Sequence, residues 1–284
     1  MKRCLLVGIN RYPNGNSLNG CVNDIKIVYK ITKEFYKFDQ FKILTDEEGT
    51  KKKIIKELQW LVRGAQPGDQ LLFHFSGHGS QVPVNDRTVG FEPDGLDEII
   101  CNIDLDWDRP IRDDDLGDMF SKLPKGVKTT VILDSCHSGH GLKNPLPNNY
   151  KNRYLYPPPS KMLRHGHIEL NDDLSYLTSR TAKNLAARTK PFLVTRLNPG
   201  DAVLISGCKD NQYSADGEFN NIYHGALTFY LAQTLKESNW NIGYADLVTK
   251  LNEKMDENRF DQDPQLEGSE ESTGGLFLGG TSSS

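Results

Sequence analysis

The sequence predicts an α/β protein built on a mostly parallel central sheet of about six strands, with helices on both faces. Two observations predict it. Short apolar runs alternate with helix-length amphipathic segments through the first half of the chain, and βαβαβ alternation implies a parallel sheet whose faces are covered. The two segments richest in reactive side chains also begin where apolar runs end, which is where open α/β sheets carry their functional crevice.

The elements follow in order. Leu5 to Ile9 reads as a buried first strand. Although Lys2-Arg3 precedes it, the apolar run is too short for a secretory leader and has no small-residue cleavage site. Val22 to Phe35 reads as a helix with Val22, Ile25, Val28 and Tyr29 on one face. Lys42 to Leu44 is a short strand. Thr50 to Val62 is a helix, with Thr50 as its N-cap and Ile54, Ile55, Leu58, Leu61 and Val62 inward. Pro67-Gly68-Asp69 is a turn. Gln70 to Phe75 and Val127 to Leu133 are strands. Residues 143–191 hold Pro145, Pro147, Pro157-Pro158-Pro159 and scattered basic residues without sustained periodicity, and read as a long, mobile insertion. Regular structure resumes with a strand at Asp201 to Ser206 and helices at Gly225 to Lys236 and Tyr244 to Met255. Leu276 to Leu278 reads as a last strand, before a frayed tail.

Bulk properties exclude several classes. The 284 residues, 37% hydrophobic, suffice for one large domain. A single domain over 1–284 is expected, with a larger part at 1–142, the insertion, and a smaller part at 192–284. A formal charge of −4, from 34 basic and 38 acidic residues, gives no general field for nucleic acid or anionic membrane. No stretch approaches the roughly 18 apolar residues of a membrane helix. Five widely spaced cysteines without a C-x-x-C argue against a disulfide framework or structural zinc. A reducing, cytoplasmic setting is expected.

The chemistry gathers at two strand ends. Leu71-Leu72-Phe73-His74-Phe75 runs into Ser76-Gly77-His78-Gly79-Ser80, and Val131-Ile132-Leu133 runs into Asp134-Ser135-Cys136-His137-Ser138-Gly139. Cys136 is the candidate nucleophile, since a thiol supplied with a base can attack an amide. His78 is the candidate base, and can then protonate the leaving amine. The backbone N–H groups of Gly79 and Cys136 are candidate donors to the oxyanion. His78 lies 58 positions before Cys136 (136 − 78), close to the roughly 50-residue spacing of caspases. By contrast, His74 lies inside an apolar strand and reads as a core histidine. No G-x-G-x-x-G follows the first strand and no phosphate-binding P-loop is present.

These segments resemble the metacaspase and orthocaspase group of the caspase-like peptidases. His74-Phe75-Ser76-Gly77-His78-Gly79 and Asp134-Ser135-Cys136-His137-Ser138-Gly139 carry the resemblance. So do Glu92 to Glu98, Leu18 to Asp24 and Gln262-Asp263-Pro264-Gln265-Leu266. True caspases differ in carrying Gln-Ala-Cys at the nucleophile. The resemblance implies a caspase-hemoglobinase-like sandwich, a monomer, and cleavage of protein or peptide substrates after Arg or Lys. It implies an S1 pocket, which takes the P1 side chain before the cleaved bond, made of Cys21, Asp24, Ser76 and Asp134. Carboxylates in a partly dry pocket would indeed favour a cationic side chain, and a guanidinium can pair with one bidentately.

The resemblance also implies activating calcium held by Asp97, Asp113 and Asp114, whose hard oxygen atoms suit that ion. A further aspartate of that site is replaced here by Lys143, which removes a ligand and adds positive charge. The basic insertion suits an Arg/Lys-cutting enzyme as a self-cleavage or plug segment. The competing reading is a caspase-like binding or signalling module without turnover.

Overall fold

A computed structural model describes residues 1–83, 96–136, 150–163, 202–209 and 212–281. The central sheet takes six strands in the order β12-β9-β7-β3-β1-β2. They are β1 (Lys2–Gly8), β2 (Gln40–Thr45), β3 (Gln70–Ser76), β7 (Lys128–Asp134), β9 (Ala202–Ser206) and β12 (Gln265–Gly268). All neighbours run parallel except β12, which pairs antiparallel with β9. This is the mostly parallel sheet read from the sequence. The last strand is corrected. Leu276 to Leu278 forms no strand: Phe277–Gly279 is a 3-10 turn, Leu278 has φ 47°, and Leu276 makes a lone bridge to Gly243. The edge position is taken instead by the polar stretch Gln-Leu-Glu-Gly.

Alternation along the buried strands builds two cores. Cys4, Leu6, Leu72, Ile132 and Ile205 face one way, packing on helices α1 (Cys21–Glu34), α5 (Ala226–Glu237) and α6 (Tyr244–Glu257). Leu5, Val7, Leu71, Phe73, Val131 and Leu133 face the other way, onto α2 (Lys51–Val62) and α3 (Asp113–Phe120). Thr50 caps α2 by accepting the Lys53 N–H, and Ile54, Leu58 and Leu61 are wholly buried beneath it. Each such side chain contributes about 1.5–3 kcal/mol of burial.

Two small sheets flank the crevice at the carboxyl ends. One contains β4 (Gly79–Pro83), β5 (Leu96–Ile100) and β6 (Ile111–Arg112). The other contains β8 (Lys151–Asn152), β10 (Ala215–Phe219) and β11 (Ile222–Gly225), with β10 in the middle. Residues 150–163 therefore depart from the expected mobile insertion. They supply β8, the short helix α4 (Pro159–Leu163) and the wholly buried Arg153. The rest of the 143–191 stretch, Lys143 included, lies outside the described residues.

Candidate active site

Register places the reactive residues. In the β3–β7 pair, Ser76 lies opposite Asp134. His78 and Cys136 each follow two residues later, so parallel pairing brings two distant segments to one edge. Gly79 approaches the opposite segment so closely that a Cβ there would lie 1.8 Å from the Cys136 carbonyl oxygen. Only glycine fits.

His78 is buried beside Tyr12. The two rings meet edge to face at 4.6 Å, and the His78 N–H donates to the Tyr12 hydroxyl at 3.0 Å. Tyr12 donates in turn to the Cys101 carbonyl at 2.8 Å. His78 Nε2 lies 2.7 Å from the Asn16 carbonyl oxygen. Burial lowers the His78 pKa below its ordinary 6.5, although the carbonyls of Asn16 and Arg153 pull the other way. The imidazole is thus neutral near pH 7, as a base must be. Cys136 Sγ accepts the Ser214 N–H at 2.8 Å and lies 3.5 Å from the Ser214 carbonyl. Among the described residues no hydrogen bond joins the thiol to His78.

Between them lies the backbone of Arg153. Its carbonyl oxygen accepts the N–H of Gly79 at 2.9 Å and that of Cys136 at 3.3 Å, while its own N–H donates to the Ser214 carbonyl at 3.0 Å. On one side β8 pairs antiparallel with β10, Asn152 facing Ala215 and Lys151 facing Asp216. On the other side the Leu155 N–H donates to the Gly79 carbonyl at 2.9 Å. The segment is thus clamped as an extended strand across the crevice, the β-augmentation mode of peptide binding.

The Arg153 side chain descends into a polar pocket and is 0% exposed. Nη1 donates to Ser76 Oγ at 2.8 Å and to the Asp134 carbonyl at 2.9 Å, and lies 3.0 Å from Asp134 Oδ1. Nη2 donates to Asp24 Oδ2 at 2.8 Å and to Asp216 Oδ1 at 3.0 Å. Three of the four residues expected in the pocket, Asp24, Ser76 and Asp134, therefore touch the guanidinium. The fourth, Cys21, is wholly buried nearby and is held by its N–H on Asn10 Oδ1 at 2.8 Å.

Sequence reading missed Asp216, Ser214 and Arg153 itself. Asp216 also accepts the N–H groups of Asn19 and Gly20, at 2.8 and 2.9 Å, tying β10 to the start of α1. The motif at Gln262 supports the same strand: its Oε1 accepts the Ala215 N–H at 3.1 Å and its Nε2 donates to the Gly207 carbonyl at 2.7 Å.

The pocket carboxylates differ in their surroundings. Burial alone would push Asp24 up, but Arg153, His224 and Ser76 outweigh it and hold Asp24 below its ordinary value. For Asp134 burial prevails over Arg153, with the Asp24 charge adding to it, and the pKa rises. Burial also opposes the charge on Arg153, yet Asp134, Cys21, Asp24 and Asp216 together outweigh it and hold the guanidinium ionised. His74 sits behind the pocket in β3, kept neutral by burial with its pKa lowered to about 4.

The residues expected to hold calcium sit at the β4–β5–β6 sheet and the start of α3. Asp97 lies on β5 and Asp113 opens α3, both buried, with Asp114 next in sequence. Arg112 Nε lies 2.8 Å from Asp97 Oδ2. Among the described residues no group of three or more His, Cys, Asp or Glu side chains converges on one point. The carboxylate chemistry suits a hard cation, but a guanidinium already faces Asp97. All five cysteines are free and buried, and no described helix is long and apolar enough to cross a membrane.

An extended peptide whose carbonyl rests on two N–H donors, beside a buried thiol and a neutral imidazole, is the arrangement of a caspase-like cysteine peptidase. Comparison with known proteins narrows this. The family described as "Metacaspase, peptidase C14 domain" matches residues 2–145, and the chain belongs to it. It is 34% identical over 291 residues to Metacaspase-1 of Meyerozyma guilliermondii, an alignment covering 94% of this chain and 69% of that one. It is 35% identical over 290 residues to Metacaspase-1 of Yarrowia lipolytica, covering 94% of this chain and 61% of the relative. Among solved structures, protein GSU0716 from Geobacter sulfurreducens matches with a TM-score of 0.66 and 27% identity, over 94% of this chain and 93% of that one. Family and fold together imply a cysteine peptidase acting on protein substrates.

Proposed function

We propose that this metacaspase is a Cys136–His78 endopeptidase that cleaves after Arg, and less readily after Lys, and that its first substrate is its own Arg153–Tyr154 bond. One observation carries the reading: Arg153 lies as a substrate would, its side chain among Asp24, Ser76, Asp134 and Asp216 and its carbonyl on the Gly79 and Cys136 N–H groups. Lysine would reach the same carboxylates but lacks the planar fork that engages Asp24 and Asp134 together.

In the reaction, His78 takes the thiol proton and Cys136 Sγ bonds to the Arg153 carbonyl carbon. The displaced electron pair rests on oxygen, held by the two N–H groups. Collapse breaks the C–N bond while His78 passes the proton to the Tyr154 nitrogen. Water then hydrolyses the thioester, leaving a carboxylate on Arg153. In the resting arrangement the thiol is turned to Ser214 and the imidazole to Asn16. The imidazole already lies against the Arg153 carbonyl as well, so it is the thiol that must turn from Ser214 before cleavage, and the uncut segment occupies the pocket until it does.

Calcium is the proposed trigger, with Asp97, Asp113 and Asp114 as oxygen donors once Arg112 leaves Asp97. The setting proposed is the cytoplasm, consistent with five free cysteines, and the working unit a monomer.

The test is intact mass of the purified chain with calcium or chelator, beside peptides ending in Arg, Lys or Asp. Fragments separated after Arg153 and turnover of Arg peptides are expected. An uncut chain together with no Arg-peptide turnover in either condition would overturn the reading. Equal rates with calcium and chelator would overturn the calcium part alone.

A further inference from the structure

The clamped segment also occupies a second depression, three residues upstream of Arg153. The β8–β10 register continues from Asn152 and Lys151 to place Tyr150 over Gly217. There the ring lies flat on bare backbone: a Cβ on Gly217 would lie 1.9 Å from Tyr150 Cδ1 and 2.1 Å from Cε1. Two further rings wall the place. Tyr150 meets Phe260 at 5.2 Å and 87°, and Phe219 at 5.9 Å and 65°, both edge-to-face geometries. Phe219 is itself fixed by stacking on Phe229 at 4.4 Å and 21°. Phe219 and Phe260 are buried at 7% and 8% exposure with Tyr150 in place.

The two rings belong to a different set of contacts from the Asp24, Ser76, Asp134 and Asp216 groups around the guanidinium. Between them, the Lys151 side chain is exposed and donates to the Ser17 carbonyl at 2.7 Å. The segment thus enters the protein deeply at two points, the guanidinium pocket and the aromatic depression, with an exposed lysine between them.

We infer that Gly217, Phe219 and Phe260 form a substrate subsite for an aromatic side chain three residues before the cleaved arginine, so that the preferred substrates are polypeptides carrying aromatic-x-x-Arg. The inference rests on Arg153 being the residue cleaved. Once the segment is cut and released, the same ring-lined floor is open to other chains, and an arriving aromatic residue recovers the contacts that Tyr150 made.

The experiment compares two fluorogenic tetrapeptides on the full chain, Tyr-Lys-Asn-Arg and Ala-Lys-Asn-Arg, by kcat/KM. The tyrosine peptide is expected to be favoured by about tenfold, and the ratio to fall toward one in Gly217→Val, whose side chain fills the floor. Equal kcat/KM for the two peptides in the natural chain overturns the subsite and leaves the arginine reading standing. Turnover of neither peptide overturns both. A control comes from the chain's own bond: Tyr150→Ala should slow cleavage after Arg153 while Tyr150→Phe, which keeps the ring contacts, restores it. Equal rates in the two variants would count against an aromatic subsite.

Discussion

The carbonyl oxygen of Arg153 rests on the N–H of Gly79 at 2.9 Å, although the two residues are 74 positions apart (153 − 79). The contact depends on Gly79 having no side chain, since any Cβ there would strike the Cys136 carbonyl. It presents the carbonyl that follows a basic side chain to the two donors best placed to stabilise an oxyanion. An arginine that merely neutralised buried aspartates would need only its guanidinium in place. Here backbone and side chain are both seated, as the proposed cleavage after Arg153 requires.

Replacing Arg153 should therefore change two things together. Arg153→Ala is expected to remove cleavage after position 153, leaving an intact chain by mass. It also leaves Asp24, Asp134 and Asp216 without their guanidinium, and removing one partner of a buried ion network costs on the order of 3 kcal/mol. Water entering the vacated pocket reduces that cost. Urea unfolding should show a lower midpoint with an unchanged slope. An unshifted midpoint would mean that the pocket tolerates vacancy.

Cys136→Ala separates chemistry from structure. The thiol is buried, and its loss removes the contacts with the Ser214 N–H and carbonyl. Peptide turnover should fall by a factor on the order of 10⁴ or more, with self-cleavage lost too, while Arg153 stays seated and protects the segment from added trypsin. Substantial turnover in this variant would displace Cys136 from the nucleophile's role.

Much of this was legible in the sequence for physical reasons. The β3 and β7 runs are long, apolar and end in reactive residues, so their parallel pairing alone juxtaposes Ser76 with Asp134 and hence His78 with Cys136. Thr50 marked its helix because a side-chain oxygen before an amphipathic run has one obvious use. What escaped notice lies where pattern is weak. Strand β10 reads Ala-Asp-Gly-Glu-Phe, with no apolar alternation to mark Asp216 and Gly217 as strand residues. Arg153 sits in a proline-rich basic stretch with no periodicity, and only tertiary pairing with β10 shows that it is one basic residue set apart from its neighbours. Leu276 to Leu278 is apolar enough for a strand, but a positive φ at Leu278 turns the chain instead.

Asp216→Asn tests the residue that sequence reading missed. The Asn19 and Gly20 N–H groups fall on different oxygens, Oδ2 and Oδ1, so asparagine keeps one of the two bonds that tie β10 to α1, and the negative charge 3.0 Å from Nη2 is gone. Loss of one of three carboxylates around a buried guanidinium should lower kcat/KM for Arg peptides by about 10- to 100-fold, with a smaller effect on kcat than on KM. Unchanged kinetics would make Asp216 a structural clasp for the loop and nothing more.

The acid side of the pH profile follows from two opposite shifts. His78 has a pKa below 6.5, so the neutral base persists to lower pH than a free histidine would allow. Asp134 has a pKa above 3.8, so its carboxylate protonates earlier than an ordinary one. In the emptied pocket, where the Arg153 charge no longer opposes burial, that rise should be larger. For kcat/KM the acid limb should therefore combine a base that stays neutral below the ordinary histidine range with a pocket carboxylate that protonates above the ordinary aspartate range. It should steepen wherever protonation of base and pocket coincide. Asp134→Asn tests the pocket's share, because its Oδ atoms also receive Ser214 Oγ–H and the Thr228 N–H and Oγ1–H. The variant should lose activity on Arg peptides at every pH and leave a shallower acid limb set by His78 alone. The same groups bear on stability with opposite sign. A carboxylate whose folded pKa is raised favours its protonated form, so Asp134 stabilises the fold as pH falls through its folded value and loses that contribution above it. Asp24, with its lowered pKa, stabilises above its unfolded value and loses that as pH falls through its folded one. Unfolding free energy measured from pH 3 to pH 7 in the Arg153→Ala background should rise less with pH than in the natural chain, because Asp24 then lacks the guanidinium that lowers its pKa. A rise equal to that of the natural chain would show that His224 and Ser76 suffice to keep Asp24 ionised.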